Sequence, residues 1–281
     1  MPELPEVEVT CRGLRPHLLE RRILAVRSSG KPLRQPLPED LIRQCLCDNT
    51  ISAVERRAKY ILVRFADGAV LLIHLGMTGK LGIFPKGKEG AKHDHLALSL
   101  DNGSELRFND ARRFGSLVVW PADEAKELEQ AFLARQGLEP LSTEFTGENL
   151  YERARQCRLP IKSFLMDSHR ISGIGNIYAN ETLFAAGIHP LCPANSLSTE
   201  QWQEVATCAA RILKQAIKAG GSTISDFLGA SGQPGYFQLQ LAVYGKKGED
   251  CPRCGEEIQK EVIGGRATFF CSECQEQALI H

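Results

Sequence analysis

Four cysteines near the C-terminus constrain the fold of this chain more than any other feature of its sequence. They form two Cys-x-x-Cys pairs, Cys251 with Cys254 and Cys271 with Cys274. Two pairs at this separation can bind one zinc ion through four thiolates, each pair from its own tight turn. We therefore expect one structural Zn²⁺ in a module at residues 245–281, which is too small to fold around a core of its own.

The bulk properties are those of an ordinary globular protein. Hydrophobic residues make up 43% of the 281 residues and charged residues 24%, so one large or two modest domains are expected. No apolar run is long enough to span a membrane, and the acidic start lacks the apolar segment of a secretory signal. The other cysteines are scattered without a disulfide pattern, which favours a reducing, cytoplasmic location.

The overall charge gives no indication of a nucleic-acid partner. The 34 basic and 34 acidic residues cancel, whereas DNA-binding proteins are often basic because phosphate neutralisation supplies much of their affinity. Any prediction of DNA binding must therefore depend on local sites.

The pattern of predicted elements divides the chain into three parts. Residues 3–20 are predicted to form a helix with an apolar stripe, and the residues up to about 120 alternate as strands joined by tight turns. After Pro121, helices are predicted at 122–136, 146–156, 160–168, 176–186 and 198–219. We expect an α+β protein with a strand-rich sandwich or barrel domain at 1–121, a helical domain at 122–244 and the zinc module at 245–281.

The N-terminus offers a potential nucleophile. Methionine is normally removed before a small residue, which would leave Pro2 with a free secondary amine whose pKa is near ~8. Such an amine can attack a sugar carbon and form an iminium ion. Glu3 beside it, and Glu6 one helical turn further on, are suited to move protons. By itself this start is equally typical of an inert helix N-terminus.

Short motifs along the whole chain resemble those of the formamidopyrimidine-DNA glycosylases. In order, they are Pro2-Glu3-Leu4-Pro5-Glu6-Val7-Glu8, Arg56-Arg57-Ala58-Lys59-Tyr60, His74-Leu75-Gly76-Met77, Arg112-Arg113-Phe114-Gly115, Gly173-Ile174-Gly175-Asn176-Ile177-Tyr178 and the zinc module with Arg266. Each motif alone is weak, but the full series in this order is specific to the family.

The resemblance implies both a fold and a chemistry. It predicts an N-terminal β-sandwich with a helix, a helix-two-turns-helix segment around residues 140–225 and a zinc hairpin. It predicts a base-excision repair enzyme, both DNA glycosylase and AP lyase, that flips 8-oxoguanine or formamidopyrimidines out of double-stranded DNA. Pro2 would attack C1′, Glu3 would assist opening of the sugar ring, and β,δ-elimination would cut the strand. The protein would act as a monomer in the bacterial cytoplasm, on the nucleoid.

Further residues resemble positions that bind the phosphates around a flipped nucleotide. They are Lys59, His74, Asn176, Tyr244, Lys260 and Arg266, of which Lys59 and Arg266 are also predicted to belong to the catalytic site. Cations and amide donors of this kind fix a bent DNA backbone. Taken singly, His74 could also be a core histidine, and Asn176 could be a helix cap. Lys59 and Arg266 could be solvated surface residues.

Three residues resemble those that fill the space left by an extruded base. Met77 and Phe114 would enter the stack, and Arg112 would pair with the orphaned cytosine, which together offset the cost of flipping. Ordinary core packing is the alternative for Met77 and Phe114. Within the glycine-rich segment 220–237, Ser222 and Thr223 are predicted to contact the lesion base, as in the family's capping loop.

Two other functions compete with this prediction. An endonuclease VIII-type glycosylase would use the same mechanism on oxidised pyrimidines. A non-catalytic zinc protein would bind duplex DNA without cutting it, and retention of Met1 would convert Pro2 into an inert amide and produce such a binder. The Pro2-Glu3 start together with Lys59 favours an enzyme, and the Arg112-Arg113-Phe114 motif favours oxidised purines.

Overall fold

The computed structural model describes residues 1–220, 227–228 and 241–275. The chain divides into two compact units. The first comprises Met1–Ala134 with Ile217–Gln238, and the second comprises Arg135–Ala216 with Leu239–His281. Within the described ranges, no helix has the length and apolarity needed to cross a membrane.

The first unit begins with helix α1, Leu4–Leu18, which follows the predicted pattern. Pro5 lies in the first turn, where its missing N–H costs nothing, and Glu3 and Glu6 form a capping box. The apolar stripe that was expected from the sequence is completely buried. Its members are Leu4, Val7, Cys11, Leu14 and Leu18.

Two sheets pack around one hydrophobic core to form the predicted β-sandwich. The five-stranded sheet has the order β1-β6-β7-β5-β9, and the four-stranded sheet has the order β2-β3-β4-β8. All pairs are antiparallel except β5 with β9. The strands are β1 Ile23–Ser28, β2 Ile51–Arg57, β3 Tyr60–Phe65, β4 Val70–His74, β5 Lys80–Pro85, β6 Asp94–Leu100, β7 Ser104–Asn109, β8 Ser116–Trp120 and β9 Phe227–Leu228. Helix α1 and the short helix α2, Glu39–Leu46, add apolar residues to the same core.

Helix α3, Ala125–Ala134, covers the outer face of the four-stranded sheet. Its Leu128 and Phe132 pack against Leu62, Leu72 and Trp120, which alternate with the residues that face the sandwich core. The sequence assigned this helix to the domain beginning at 122, whereas the first compact unit extends to Ala134. The helix lies there because the sheet exposes apolar residues on both faces. The division at 121 and 244 stays a prediction.

The second unit is helical, as predicted. Its helices are α4 Gly147–Ala154, α5 Ile161–Met166, α6 Asn176–Ala186 and α7 Thr199–Lys218, with a short 3₁₀ turn at Ala194–Ser196. Trp202 and Phe164 lie in its core with ring centroids 5.1 Å apart. Helix α6 ends at Gly187 in the left-handed conformation, φ 70°, a common glycine C-cap.

The cysteine-rich module is a β-hairpin that packs against α6. Strand β10, Gln259–Ile263, pairs with β11, Arg266–Phe270, across the turn Gly264-Gly265. Both glycines have positive φ, 56° and 72°, as a type I′ turn requires. Phe269 and Ile258 share a small core with Phe184 of α6, so the module depends on the helical unit for its apolar contacts.

Candidate functional site

The start of α1 brings the predicted nucleophile and its acidic neighbours together. Pro2, Glu3 and Glu6 are buried, and the two carboxyl-bearing residues are only 2% and 4% exposed. The Glu3 backbone N–H donates to Glu6 Oε2 at 2.9 Å. Since the bond closes the first turn, Glu6 fixes the backbone at Glu3, the residue next to the proline nitrogen.

Contacts between α1 and β2 place Lys59, another residue predicted for the catalytic site, toward the N-terminal end of the helix. Arg15 donates to Val54 O at 2.8 Å, the Cys11 thiol to Glu55 O at 3.4 Å, and Arg56 to Glu8 Oε2 at 3.0 Å. Helix and strand therefore run in opposite directions. The β2–β3 turn, which follows Arg56, and the N-terminus of the helix, which precedes Glu8, lie toward the same end of the pair. The turn consists of Ala58 and Lys59.

The β2–β3 turn holds a strained residue. Ala58 has φ 53°, a left-handed conformation that costs a non-glycine residue about 1–2 kcal/mol. It is nevertheless buried, at 2% exposed. Strain of this kind persists only where surrounding contacts impose it and is frequent at functional sites. The left-handed conformation of Ala58 sets the direction in which the next residue, the half-buried Lys59, leaves the sheet.

His74 lies at the end of β4, opposite Tyr60 of β3, and their rings are 4.8 Å apart. Burial and, to a smaller extent, the nearby cations Lys59 and Arg34 together lower its pKa to about 4. The ring is therefore neutral at pH 7. Since Nδ1 accepts a hydrogen bond from the Gly76 N–H at 3.1 Å, the proton lies on Nε2, and a neutral His74 can still donate to a phosphate oxygen.

The predicted base-replacing residues lie on two adjacent loops of the first unit. Met77 and Phe114 are 38% and 46% exposed, so the alternative of ordinary core packing is wrong for both. The Arg112 guanidinium stacks on the Phe114 ring at 4.7 Å from its centroid. Arg113 between them has φ 57°, a second strained position at the predicted site.

In the second unit, α6 holds the zinc hairpin in place. Asn176 Nδ2 donates to Ala267 O at 3.0 Å, and Asn180 Oδ1 accepts from the Phe269 N–H at 2.7 Å. The fully buried Lys162 donates from Nζ to Ala267 O at 2.9 Å and to Thr268 Oγ1 at 2.7 Å. The side-chain donor of Asn176 is thus partly used within the protein, and its second N–H can bind a ligand.

The remaining predicted DNA contacts lie on the hairpin or next to it. Arg266 and Lys260 are exposed on β11 and β10. Tyr244 is half-buried, with its ring 5.2 Å from that of Phe269. The segment that includes Tyr244 is held by Glu181 of α6, whose carboxylate accepts from three consecutive backbone N–H groups, those of residues 242–244.

The four predicted zinc ligands meet at one point. Their sulfur atoms all lie within 4.8 Å of one another. Cys251 Sγ is 3.8 Å from Cys274 Sγ, and Cys254 Sγ is 3.5 Å from Cys271 Sγ. A tetrahedron with Zn–S bonds of about 2.3 Å has sulfur–sulfur edges of about 3.8 Å. The geometry fits one tetrahedral zinc ion, and the predicted structural Zn²⁺ site is confirmed.

Comparison with known proteins gives matches along nearly the whole chain. Residues 1–117 match the formamidopyrimidine-DNA glycosylase N-terminal domain, residues 136–228 its H2TH domain, and residues 248–277 the zinc finger found in FPG and IleRS. The formamidopyrimidine-DNA glycosylase of Geotalea uraniireducens is 48% identical over 275 residues, which are 98% of this chain and all of that protein. The chain belongs to the formamidopyrimidine-DNA glycosylase family.

Solved structures of family members have the same fold. A Lactococcus lactis FPG variant in complex with Fapy-dG-containing DNA gives a TM-score of 0.88 at 33% identity, covering 98% of this chain and all of that one. The wild-type Lactococcus lactis protein in complex with DNA that contains an oxidised pyrimidine gives the same score and coverage. Membership of this family makes the chain a DNA glycosylase of base excision repair, and its predicted α+β fold and helix-two-turns-helix domain are confirmed.

Several residues that shape this glycosylase's predicted sites were missed from the sequence. Asp110, Glu181 and Lys162 are buried polar residues that hold the loops and the hairpin. Only Asp110 has a local signal, a short acid directly after a strand and before a loop. Ser222 and Thr223, predicted to contact the lesion base, lie outside the described residues, and their role stays a prediction.

Proposed function

We propose that this glycosylase removes oxidised purines, 8-oxoguanine and formamidopyrimidines, from double-stranded DNA and then cuts the abasic strand. The observation that supports this most is the start of α1, where Pro2 and Glu3 are buried together and Glu6 fixes the backbone between them. A frayed, inert N-terminus would not have this burial. Removal of Met1 would make the Pro2 nitrogen a secondary amine.

The proposed reaction proceeds through an iminium ion on Pro2. The amine attacks C1′, the C1′–N bond breaks, and the damaged base leaves with the electron pair and gains a proton. Glu3 donates a proton to the sugar ring oxygen as the ring opens. The iminium acidifies the C2′ hydrogen, so loss of that proton expels the 3′ phosphate, and a second elimination expels the 5′ phosphate. Water then hydrolyses the iminium, which releases the sugar fragment as an unsaturated aldehyde and frees the Pro2 amine. A one-nucleotide gap with phosphates at both ends remains.

Groups in the first unit would bind the flipped nucleotide and stabilise the duplex around it. Lys59 and the neutral His74 donate to phosphates, which the shared β2–β3–β4 ladder supports by holding Tyr60 opposite His74. Met77 and Phe114 would occupy the emptied stack, with Arg112 pairing to the orphaned cytosine. The exposure of both apolar side chains supports this proposal.

Residues of α6 and of the zinc hairpin, in the second unit, are also proposed to bind the DNA backbone. Asn176 begins α6, where the positive end of the helix dipole favours phosphate, while Tyr244, Lys260 and Arg266 belong to the zinc hairpin or its entry. Arg266 is also proposed to assist catalysis. The zinc ion has a structural role, since it holds the two Cys-x-x-Cys turns together, and it takes no part in the reaction. Ser222 and Thr223 are proposed to cap the lesion base.

The partner of this enzyme is DNA, and we propose that it acts as a monomer in the bacterial cytoplasm without a membrane partner. One lesion requires one set of catalytic groups, which a single chain supplies. We also propose the division into a catalytic domain at 1–121, a DNA-binding domain at 122–244 and a zinc hairpin at 245–281.

Cleavage of matched duplexes tests this function. Three substrates are compared under single-turnover conditions: 8-oxoguanine opposite cytosine, thymine glycol opposite adenine, and the undamaged sequence. The proposal predicts fastest cleavage of the 8-oxoguanine strand. Faster cleavage of thymine glycol would indicate an endonuclease VIII-type specificity, and binding without cleavage of any strand would indicate a DNA-binding protein.

A further inference from the structure

A buried carboxylate connects the two loops that hold the base-replacing residues. Asp110 is fully buried. Its Oδ1 accepts from the Thr78 hydroxyl and from the Arg112 N–H at 3.2 Å, and its Oδ2 accepts from the Gly115 N–H at 2.8 Å. We call Thr78, Asp110, Arg112 and Gly115 the Asp110 network. It joins the loop that includes Met77 to the loop that includes Phe114.

The backbones of the two loops are in direct contact. A Cβ atom added to Gly76 would lie 2.5 Å from Gly115 N and from Phe114 C. One added to Gly115 would lie 2.6 Å from Phe108 Cζ. No side chain fits at Gly76 or at Gly115, so the backbone at Gly76 packs directly against the backbone of Phe114 and Gly115. Arg113 is held in the left-handed region by the same turn.

The position of Asp110 is itself fixed from behind. Its carbonyl oxygen lies 2.9 Å from His95 Nε2, and its N–H donates to His93 O at 3.0 Å. His95 is 2% exposed, and its Nδ1 lies 3.0 Å from Ser29 Oγ. With both ring nitrogens bonded, the imidazole is held, and the backbone of Asp110 is held with it.

We propose that Asp110 is a positioning residue that sets the orientation of Arg112 and Phe114 toward the strand opposite the lesion. This inference rests on the proposed function and deepens it. The Arg112 guanidinium and the Phe114 ring stack on each other, so their joint direction depends on the turn between them. A buried carboxylate with three donors fixes that turn more strongly than neutral acceptors would. Asp110 thereby controls which orphaned base Arg112 can pair with.

The test compares Thr78→Val with Thr78→Ser, because Thr78 is half-buried and both variants are expected to fold. Valine keeps the shape of threonine without its hydroxyl, whereas serine keeps the hydroxyl. Single-turnover excision of 8-oxoguanine is measured opposite cytosine and opposite adenine, with cleavage of a preformed abasic site as reference. Amide hydrogen exchange at Arg112 and Gly115 is measured in the free protein, which needs no activity. Asp110→Asn is measured in the same way.

The Thr78 hydroxyl donates to Asp110 and also accepts from the Arg112 N–H at 3.2 Å, and Thr78→Val removes both bonds. The proposal predicts that this variant lowers the ratio of excision opposite cytosine to excision opposite adenine by about tenfold or more. Thr78→Ser should retain the wild-type ratio, and exchange at Arg112 should accelerate only in Thr78→Val and Asp110→Asn. An equal loss opposite both bases, or Val and Ser variants with the same ratio, would overturn it. If the wild-type protein excises nothing, the proposed function has failed, and unchanged exchange in Thr78→Val would then overturn the positioning role independently.

Discussion

Glu6 Oε2 lies 2.9 Å from the backbone nitrogen of Glu3 and accepts its hydrogen bond in the first turn of α1. The Glu3 side chain in turn accepts from the Glu6 backbone N–H, so the two acids form a reciprocal capping box. Only Glu3, however, is adjacent to the nitrogen proposed as nucleophile, and the two carboxyl groups are therefore proposed to have different tasks. The pair allows the chemical role of one acid to be separated from the structural role of the other.

We expect Glu3→Gln to lower excision of 8-oxoguanine by about a hundredfold or more, since general acid–base groups contribute this much. Glutamine cannot donate a carboxylic proton to the sugar oxygen. In Glu6→Gln the amide oxygen can still accept from Glu3, and we expect a loss of about tenfold or less. Single-turnover excision measures both. Equal losses in Glu6→Gln and Glu3→Gln would contradict the proposal that Glu3, and not Glu6, donates the proton.

The half-buried His74, whose pKa is lowered, predicts a loss of stability at acid pH. Its pKa is lowered to about 4 in the folded protein, first by burial, while in the unfolded chain it is near ~6.5. The folded state thus binds fewer protons between these values. The contribution of His74 to the free energy of unfolding is complete above about pH 6.5. It is lost as pH falls to about 4, a change of about 3 kcal/mol.

Urea unfolding of wild type and His74→Asn at pH 7 and pH 4.5 measures this contribution. The asparagine oxygen can replace Nδ1 as the acceptor for Gly76 without titrating. The wild type should lose about 2–3 kcal/mol more than the variant on going to pH 4.5. Equal losses in the two proteins would mean that His74 is not held in the neutral form.

The elements and residues that could be predicted from the sequence are those specified by local chemistry. Helix α1, the zinc knuckles and the Gly264-Gly265 turn follow from caps, cysteine spacing and glycine alone. The bounds of strand β2, Ile51–Arg57, are not evident from the sequence because its charged end conceals the alternation. Only the folded chain pairs Arg56 with Glu8 and Glu55 with Arg64.

Other elements and contacts could not be predicted because they depend on distant partners. Strand β5, Lys80–Pro85, contains Gly82 and ends in proline, both of which argue against a strand when read alone. The role of Asp110 requires Thr78, and that of Glu181 requires residues 242–244. These pairings arise from the fold, not from sequence neighbours.

Zinc removal should unfold the hairpin and abolish DNA binding, since the proposed contacts Lys260 and Arg266 lie on its two strands. Elemental analysis should give one zinc per chain, and a chelator should release it together with affinity for lesion duplex. Cys254→Ser should lower zinc content and binding, because structural zinc supplies the folding energy of such modules. Cys208→Ser, a buried cysteine of α7 outside the cluster, is the matched control. Full DNA affinity in the zinc-free protein would contradict the assignment.

Glu181→Gln should loosen the segment that includes Tyr244. The carboxylate accepts three backbone N–H groups, and a neutral amide offers one acceptor oxygen in place of two. We expect exchange of the amides at 242–244 to accelerate by about tenfold and affinity for lesion duplex to fall by a similar factor. Glu200→Gln, the same change at an exposed position of α7, is the control and should match wild type. Unchanged exchange in Glu181→Gln would show that this anchor is dispensable.

Borohydride trapping tests whether Pro2 is the nucleophile. The protein is incubated with a duplex that contains 8-oxoguanine opposite cytosine, borohydride is added to reduce any iminium ion to a stable amine, and the adduct is mapped by mass spectrometry. We expect a chain without Met1 that is linked to the DNA through Pro2. An adduct on a lysine, or no adduct from a zinc-bound protein that has lost Met1, would contradict it.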